Sequence, residues 1–293
     1  MFKKIKEKLY RTRHLVKLAR EDLETVKRKL VAMEENACSA DGPMAWSPSA
    51  FHNWERILGC LRIRSLGVDE KARVGGDADG GYVLPADWRK VSLLISLGIG
   101  PDNSFDVAFA EAGIPVEAYD PTISKLPLVH PKIHWIKKMV VANPGFHDNE
   151  ISLEQILERI SHHPMPALKM DIEGWEYPVI LTCPREALGK LRFFVAEFHG
   201  IADAVASGQT ATLEAVWSRL SDIFDTVHLH GNNTCGVRVL GGALVPNLLE
   251  ITMVNRNFYH TVPRQESFPG SLDCPNFKGR ADIQMCLPVT LAK

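Results

Sequence analysis

The chain of 293 residues is long enough for one large α/β domain or two smaller ones. Its 45% hydrophobic and 24% charged residues are ordinary for a globular protein and exclude a disordered or collagen-like chain. With 34 basic against 35 acidic residues the net charge is -1, which gives no global attraction to nucleic acid.

Cys38, Cys60, Cys183, Cys235, Cys274 and Cys286 are scattered, with no CxxC pair, so reduced thiols are expected rather than a disulfide or zinc framework. No apolar run approaches the ~20 residues of a membrane span. The charged start MFKKIKEKLYRTR does not read as a secretory signal. The expected location is the cytoplasm.

From Phe2 to Met33 there is no Gly or Pro, and apolar residues alternate in steps of three and four. The heptad a positions are Phe2, Leu9, Val16, Leu23 and Leu30; the d position is polar at Thr12 and small at Ala19. Residues 1–36 are read as a coiled-coil helix, roughly 48 Å long over about 32 residues. A narrow stripe of that length suits a homo-oligomeric stalk; the alternative is a helix folded back on its own domain. Lys3, Lys4, Lys6, Lys8, Arg11, Arg13 and Lys17 would also allow peripheral contact with an anionic membrane. Residues 37–50, with Gly42, Pro43 and Pro48, read as a linker.

The remainder, 51–293, has an α/β rhythm. A helix is expected over 51–61, a buried strand over 91–99 and a helix over 105–112. Strands follow over 114–120 and 134–141, a helix over 151–160, then strands over 167–172 and 191–200. A helix over 210–224 leads to strands over 226–231 and 248–256. The alternation predicts a mainly parallel, Rossmann-like sheet covered on both faces. The last two strands, joined without a helix, are expected as an antiparallel edge pair. The final forty or so residues look irregular.

Polar residues end almost every apolar strand: Gly98 and Gly100, Asp120, Asp171 and Glu173, Glu197 and His199, His230 and Asn232. Such residues also favour turns and caps, but ligands of open parallel sheets sit at these strand ends. The segment SLGIGPDNSFD, Ser96 to Asp106, has Asn103 where a dinucleotide fingerprint would have its third glycine. It has no phosphate-binding lysine either. A nucleoside without phosphates fits better, with Asp120 positioned for its ribose hydroxyls.

LKMDIEGWEYPVI, Leu168 to Ile180, resembles the K-x-D-x-E-G-x-E signature of FkbM-type S-adenosylmethionine-dependent methyltransferases, and ISLEQIL resembles the segment preceding it there. RVGGDADGGYVLP, GIGPDNSFD, AYDPT, VAEFHG and HLHGNN resemble the methyltransferase-like branch of that superfamily. The similarity runs over roughly residues 70 to 256. The family's E/D-x-G-x-G-x-G loop would have an acid in place of Ser96 and a glycine in place of Asp102.

The resemblance implies a class I methyltransferase domain binding S-adenosyl-L-methionine through Gly98, Gly100, Asp102 and Asp120, with Ser104 capping the next helix. Asp79, Gly80, Gly81 and Tyr82 are expected to fold over the cofactor's amino-acid end, with Arg73 on its carboxylate; DADGG is equally readable as a plain turn. For the acceptor, a hydroxyl of a glycan or other small polar molecule, the expected catalytic groups are Asp171, His199 and His230. His199 or His230 would be the base; alternatively Asp171, Glu197 and His230 would bind a divalent metal, Mg or Mn. The competing reading is a non-catalytic coiled-coil assembly protein whose α/β domain serves recognition.

Overall fold

The computed structural model describes residues 48–67, 70–263 and 267–285. The expected helix over 1–36 and the linker up to residue 47 lie outside them. The first described element is helix α1 (Pro48–Gly59), which opens on a proline whose missing N–H is no loss in a first helical turn. It takes in residues 48–50 of the expected linker.

Next come the short β1 (Arg64–Ser65), then β2 (Lys71–Gly75), β3 (Gly81–Pro85), β4 (Leu93–Leu97), α2 (Ser104–Glu111), β5 (Val116–Tyr119) and β6 (Ile133–Ile136). Short β7 (Met139–Val140) and β8 (Glu150–Ile151) precede α3 (Leu153–Arg159) and β9 (Pro166–Met170). The chain continues through α4 (Glu176–Thr182), α5 (Arg185–Leu188), β10 (Phe193–His199), α6 (Ile201–Ser207) and α7 (Ala211–Ser221). It closes with β11 (Phe224–Leu240), β12 (Ala243–Asn255) and β13 (Val262–Pro263).

The main sheet has seven strands in the order β11-β12-β10-β9-β4-β5-β6. β10, β9, β4, β5 and β6 run parallel. β12 is antiparallel to both β10 and β11, so the expected edge pair forms within a Rossmann-like sheet. Central β4 and β9 are buried along their whole length, which explains their nearly unbroken apolar sequences. From β4 the chain moves outward through β5 and β6, then returns to β9 on the other side. Strand order thus reverses between β4 and β9, where the crevice of such a sheet lies.

Alternate strand residues feed two cores. Leu93, Ile95, Leu168 and Phe194 pack with Trp54 of α1 and Trp217 of α7. Leu94, Ala167, Phe193 and Val195 pack with Phe105 and Phe109 of α2 and with Val74, Tyr82 and Leu84 of β2 and β3. β2 and β3 form an antiparallel hairpin, anchored where Thr252 Oγ1 of β12 donates to the Val83 carbonyl at 2.7 Å.

Three elements differ from the sequence reading. RVGGDADGGYVLP builds the β2–β3 hairpin, whose tip is so tight that a Cβ on Gly81 would overlap the Gly76 carbonyl oxygen. The segment CGVRVLGGALVP, between the two expected edge strands, extends β11 and β12 into a long hairpin. Its two-residue turn, Gly241-Gly242, has φ of 58° and 85°, the conformation of a type I′ turn. Between the expected strand over 191–200 and the expected helix over 210–224 stands α6, flanked by the left-handed glycines Gly200 and Gly208. Among the described residues no helix is long and apolar enough to cross a membrane.

Candidate functional site

The tip of β4 bends where Gly98 and Gly100 adopt φ of 82° and 62°. The Gly98 amide donates to Tyr119 of β5 and the Asp171 amide donates to Leu97, both at 2.9 Å, so three strand tips are bound together. Asp120, following β5, holds this bend. Its Oδ2 accepts the Ile99 and Gly100 amides at 2.9 and 3.0 Å, and its Oδ1 accepts the amide and hydroxyl of Thr122 at 2.7 and 2.6 Å. Burial opposes ionisation, but the Thr122, Gly100 and Ile99 donors outweigh it and lower the Asp120 pKa. Both oxygens therefore have their lone pairs engaged in this conformation. Asp120 shapes the bend, and a diol reaching it must displace Thr122.

A cavity of about 390 Å³ opens at the bend, a volume suited to a small ligand. Asp120 and Asp171 both line it, with Gly98 and Gly100 between. The hairpin tip closes one end through Asp79, Gly80 and Tyr82. A Cβ on Gly80 would come within 3.2 Å of Asp102, so the hairpin lies directly against the bend. Ser104 does not cap α2 but is its first residue, and its amide donates to Asp102 Oδ1 at 2.7 Å. Arg73 is not on the wall. Its guanidinium donates to the Gly76 and Ala78 carbonyls at 3.0 and 2.9 Å and braces the hairpin turn.

At the tip of β9, Lys169 is buried, donates to the Gly98 carbonyl at 2.7 Å and stands 3.5 Å from Asp171. Burial alone would lower its pKa, but Asp171, Asp106 and Glu197 raise it, so it stays charged. Beyond Asp171 the chain turns through Glu173, at a φ of 56° unusual for a side-chain-bearing residue, and Gly174. Fully buried Glu176 closes that turn, its Oε1 accepting the Ile172 and Gly174 amides.

His199 stands behind this wall. Its Nε2 lies 3.5 Å from Glu173 and 4.0 Å from Asp171, and its Nδ1 lies 3.2 Å from Glu176. Burial works to lower its pKa, yet Glu176, Asp171 and Glu173 raise it overall. The indole of Trp175 sits on the cavity wall beside them with 53% of its surface exposed.

A second polar group runs across the sheet under the hairpin. Glu197 of β10, Glu250 of β12 and His230 of β11 occupy paired register positions and are all buried. Tyr82 donates to Glu197 at 2.5 Å, and Asn276 and Asn232 donate to Glu250 at 2.6 and 3.3 Å. Burial, with the nearby Asp171 and Glu250 charges, pushes the Glu197 pKa well above the ordinary carboxylate range.

His230 is not presented to the cavity as a base. Its ring nitrogens face Glu250 at 3.1 Å and Asp282 at 3.0 Å. Burial disfavours its charged form, but these carboxylates raise the pKa to about 10. It is a structural imidazolium that fastens the segment after β13 to the sheet. His228 also ties that segment to the sheet, its Nε2 lying 2.8 Å from Asp273.

The expected metal set of Asp171, Glu197 and His230 does not converge. Among the described residues the groupings compact enough for a cation are Asp171, Glu173 and His199, and separately Asp79, Glu197 and Glu250. His230 belongs to neither. The sequence reading passed over Lys169, Asp106 and Lys138, all on the cavity wall. Lys169 and Asp106 were hidden inside an apolar strand and a helix; the signal was a charged residue at a position the core pattern makes apolar.

No family model matches the sequence. The chain is 27% identical over 149 residues to the human protein named probable methyltransferase-like protein 24, a match covering 46% of this chain and 40% of that relative. It is 26% identical over 148 residues to the rat protein of the same name, with the same coverage. The match spans less than half the length of these curated relatives. Among solved structures, the chain is similar to a SAM-dependent methyltransferase from Agrobacterium tumefaciens. That likeness has 11% identity and a TM-score of 0.29, over 64% of this chain and 70% of that one.

Proposed function

We propose that the cavity binds S-adenosyl-L-methionine and that the chain is a methyltransferase acting on a hydroxyl of a carbohydrate-like acceptor. The observation that carries this reading is the single cavity lined by Asp120, the Gly98–Gly100 bend and Asp171. The similarity to methyltransferase-like proteins supports it.

The lining fits the ligand's charge. Asp79, Asp102, Asp106, Asp171, Glu173 and Glu197 face Lys138 and Lys169 on the same walls, a balance suited to a ligand bearing both a sulfonium and an ammonium. Bound there, the cofactor supplies a methyl group on a positively charged sulfur.

The chain's own residues position the acceptor and take its proton. Trp175 offers an exposed aromatic surface against which a sugar ring can pack. Asp171, on the cavity wall 4.0 Å from His199 Nε2, orients that imidazole toward the acceptor and stabilises the charge it gains with the acceptor's proton. His199 Nε2, beside Asp171 and Glu173, takes the hydroxyl proton; its raised pKa makes it a stronger base. With the cofactor bound, its methyl group would pass from the sulfonium to the acceptor oxygen, leaving a neutral thioether.

The test is calorimetric titration of the full chain with S-adenosylhomocysteine. Saturable binding is expected, and none at millimolar ligand removes the proposal. Screening mono- and oligosaccharides for release of S-adenosylhomocysteine then tests the acceptor class. Turnover confined to amines or thiols would overturn it.

A further inference from the structure

A second hollow adjoins the cavity. It is an open groove of about 810 Å³ whose polar side chains are Lys138, His147, Glu150, Gln155, Glu158 and Arg159. The short pair β7 and β8 forms the wall common to both. Met139 and Val140 of β7 line the cavity, while their register partners on β8, Glu150 and Ile151, line the groove. Lys138, immediately before β7, lines both hollows.

The charge at this junction is unmatched. The Lys138 amide donates to the Ile136 carbonyl at 2.8 Å, which fixes the residue at the end of β6. Its side chain is half-buried, yet the ammonium has no carboxylate within 4.0 Å and no hydrogen bond among the described residues. Arg159, the groove's other fixed cation, is already engaged by Glu117 and the Tyr119 hydroxyl. Glu150 turns its Oε2 to the Gly145 and Phe146 amides, both at 2.9 Å. His147 and Glu158 are exposed and keep their polar ends in water. The half-buried charge left over is the ammonium of Lys138, which suits an anion.

Size and lining indicate what surrounds that anion. Pockets for ligands of the cofactor's size start at ~300 Å³, so a cavity of 390 Å³ leaves room only for the reacting end of an acceptor. The remainder must extend outward, and at Lys138 the cavity meets the groove. The groove offers hydrogen-bonding side chains and only Pro144 and Ile151 as apolar ones, a surface for a hydroxyl-rich chain rather than an apolar one. An aromatic face accompanies each hollow. Trp175 is on the cavity wall, and Phe146, 87% exposed, stands between the groove residues Gly145 and His147. Aromatic faces of this kind pack against sugar rings.

We propose that the acceptor is an acidic oligosaccharide. Its reacting hydroxyl enters the cavity, an anionic substituent (carboxylate, sulfate or phosphate) pairs with Lys138, and the adjoining sugar units lie in the groove beyond β7 and β8. The proposal rests on the reading of the cavity as a methyltransferase site with a carbohydrate-like acceptor.

The test applies the full chain, saturated with S-adenosylhomocysteine, to an array of neutral, uronate-bearing, sulfated and phosphorylated glycans, each as single sugars and as oligosaccharides. Retention is expected on acidic oligosaccharides and not on their neutral counterparts, and the acidic class retained identifies the anion. In calorimetry with a retained glycan, Lys138→Gln should weaken binding by about tenfold to a hundredfold, the range of a lost charge-assisted hydrogen bond, and Lys138→Arg should restore most of it. Phe146→Ala should weaken the oligosaccharide more than the single sugar bearing the same acid. Equal retention of neutral and acidic glycans, single sugars bound as tightly as oligosaccharides, or no glycan retained overturns the proposal. The methyltransferase reading still stands in those cases if S-adenosylhomocysteine binds on its own. If Lys138→Gln loses S-adenosylhomocysteine instead, the lysine serves the cofactor and the proposal fails. If the wild type binds no S-adenosylhomocysteine, the cofactor reading fails and the proposal falls with it.

Discussion

Gly98 lies so close to Asp171 that a Cβ at residue 98 would overlap the Asp171 carbonyl oxygen. The tips of β4 and β9 therefore touch through backbone at the point where strand order reverses. Gly98→Ala must part these tips and also hold alanine at a φ of 82°, and we expect it to cost about 2–4 kcal/mol and abolish ligand binding. Gly100 has a φ of 62° but open space around it, so Gly100→Ala should cost only about 1 kcal/mol. Urea denaturation of both variants checks the difference; equal losses would show that close approach at residue 98 is unimportant.

Glu197 carries its proton to higher pH when folded than when unfolded, because it is buried beside Asp171 and Glu250. A raised carboxyl pKa favours folding at low pH, and that contribution is lost as pH rises above the ordinary value of 4.5. Glu197→Gln, which keeps an oxygen for the Tyr82 hydroxyl, should match the wild type at pH 4 and be more stable at pH 7. Denaturation at the two pH values decides it; a variant less stable at pH 7 would mean that the ionised carboxylate supports the fold.

For His199, the neighbouring carboxylates matter more than its burial, and its pKa is raised. A base with a raised pKa loses activity at a higher pH as acid is added, so the acid limb of kcat/KM should lie above the usual imidazole range, about 6.5. Glu176→Gln should move that limb downward, since Glu176 is the nearest carboxylate, at 3.2 Å. His199→Ala should lower kcat by about 10²–10⁴ with ligand affinity retained. A pH profile of S-adenosylhomocysteine release checks both, and an unmoved limb would remove His199 as the base.

The parallel core was readable because β4 and β9 are buried on both faces and show it as unbroken apolar runs. The polar strand ends were readable too, since Asp120 and Asp171 directly follow the apolar strands β5 and β9. What escaped was set by partners distant in sequence. GVRVLGGALVP looks like a loop until Gly241-Gly242 is recognised as a hairpin turn. RVGGDADGGYVLP shows strands only once β12 and α2 are there to receive them. His230 could not be told from a catalytic base, because Asp282, which fixes its charge, lies beyond β13 in an irregular segment.

His230 links β11, β12 and the segment after β13, and its charge should be measurable in the stability curve. Its folded pKa is raised from 6.5 to about 10 by Asp282, Glu250 and Asp273, against the effect of burial. A raised imidazole pKa contributes stability that is fully present below pH 6.5 and is lost as pH rises through about 10. The wild type should therefore weaken across that interval. His230→Gln removes the cation between two carboxylates and should be ~3 kcal/mol less stable at pH 6, as expected for a broken buried ion pair. The variant should also lose this group's share of the slope between pH 6.5 and 10, which chemical denaturation across the interval would read directly. A variant as stable as the wild type at pH 6, with the slope intact, would place the charge elsewhere and return His230 to the pool of neutral histidines.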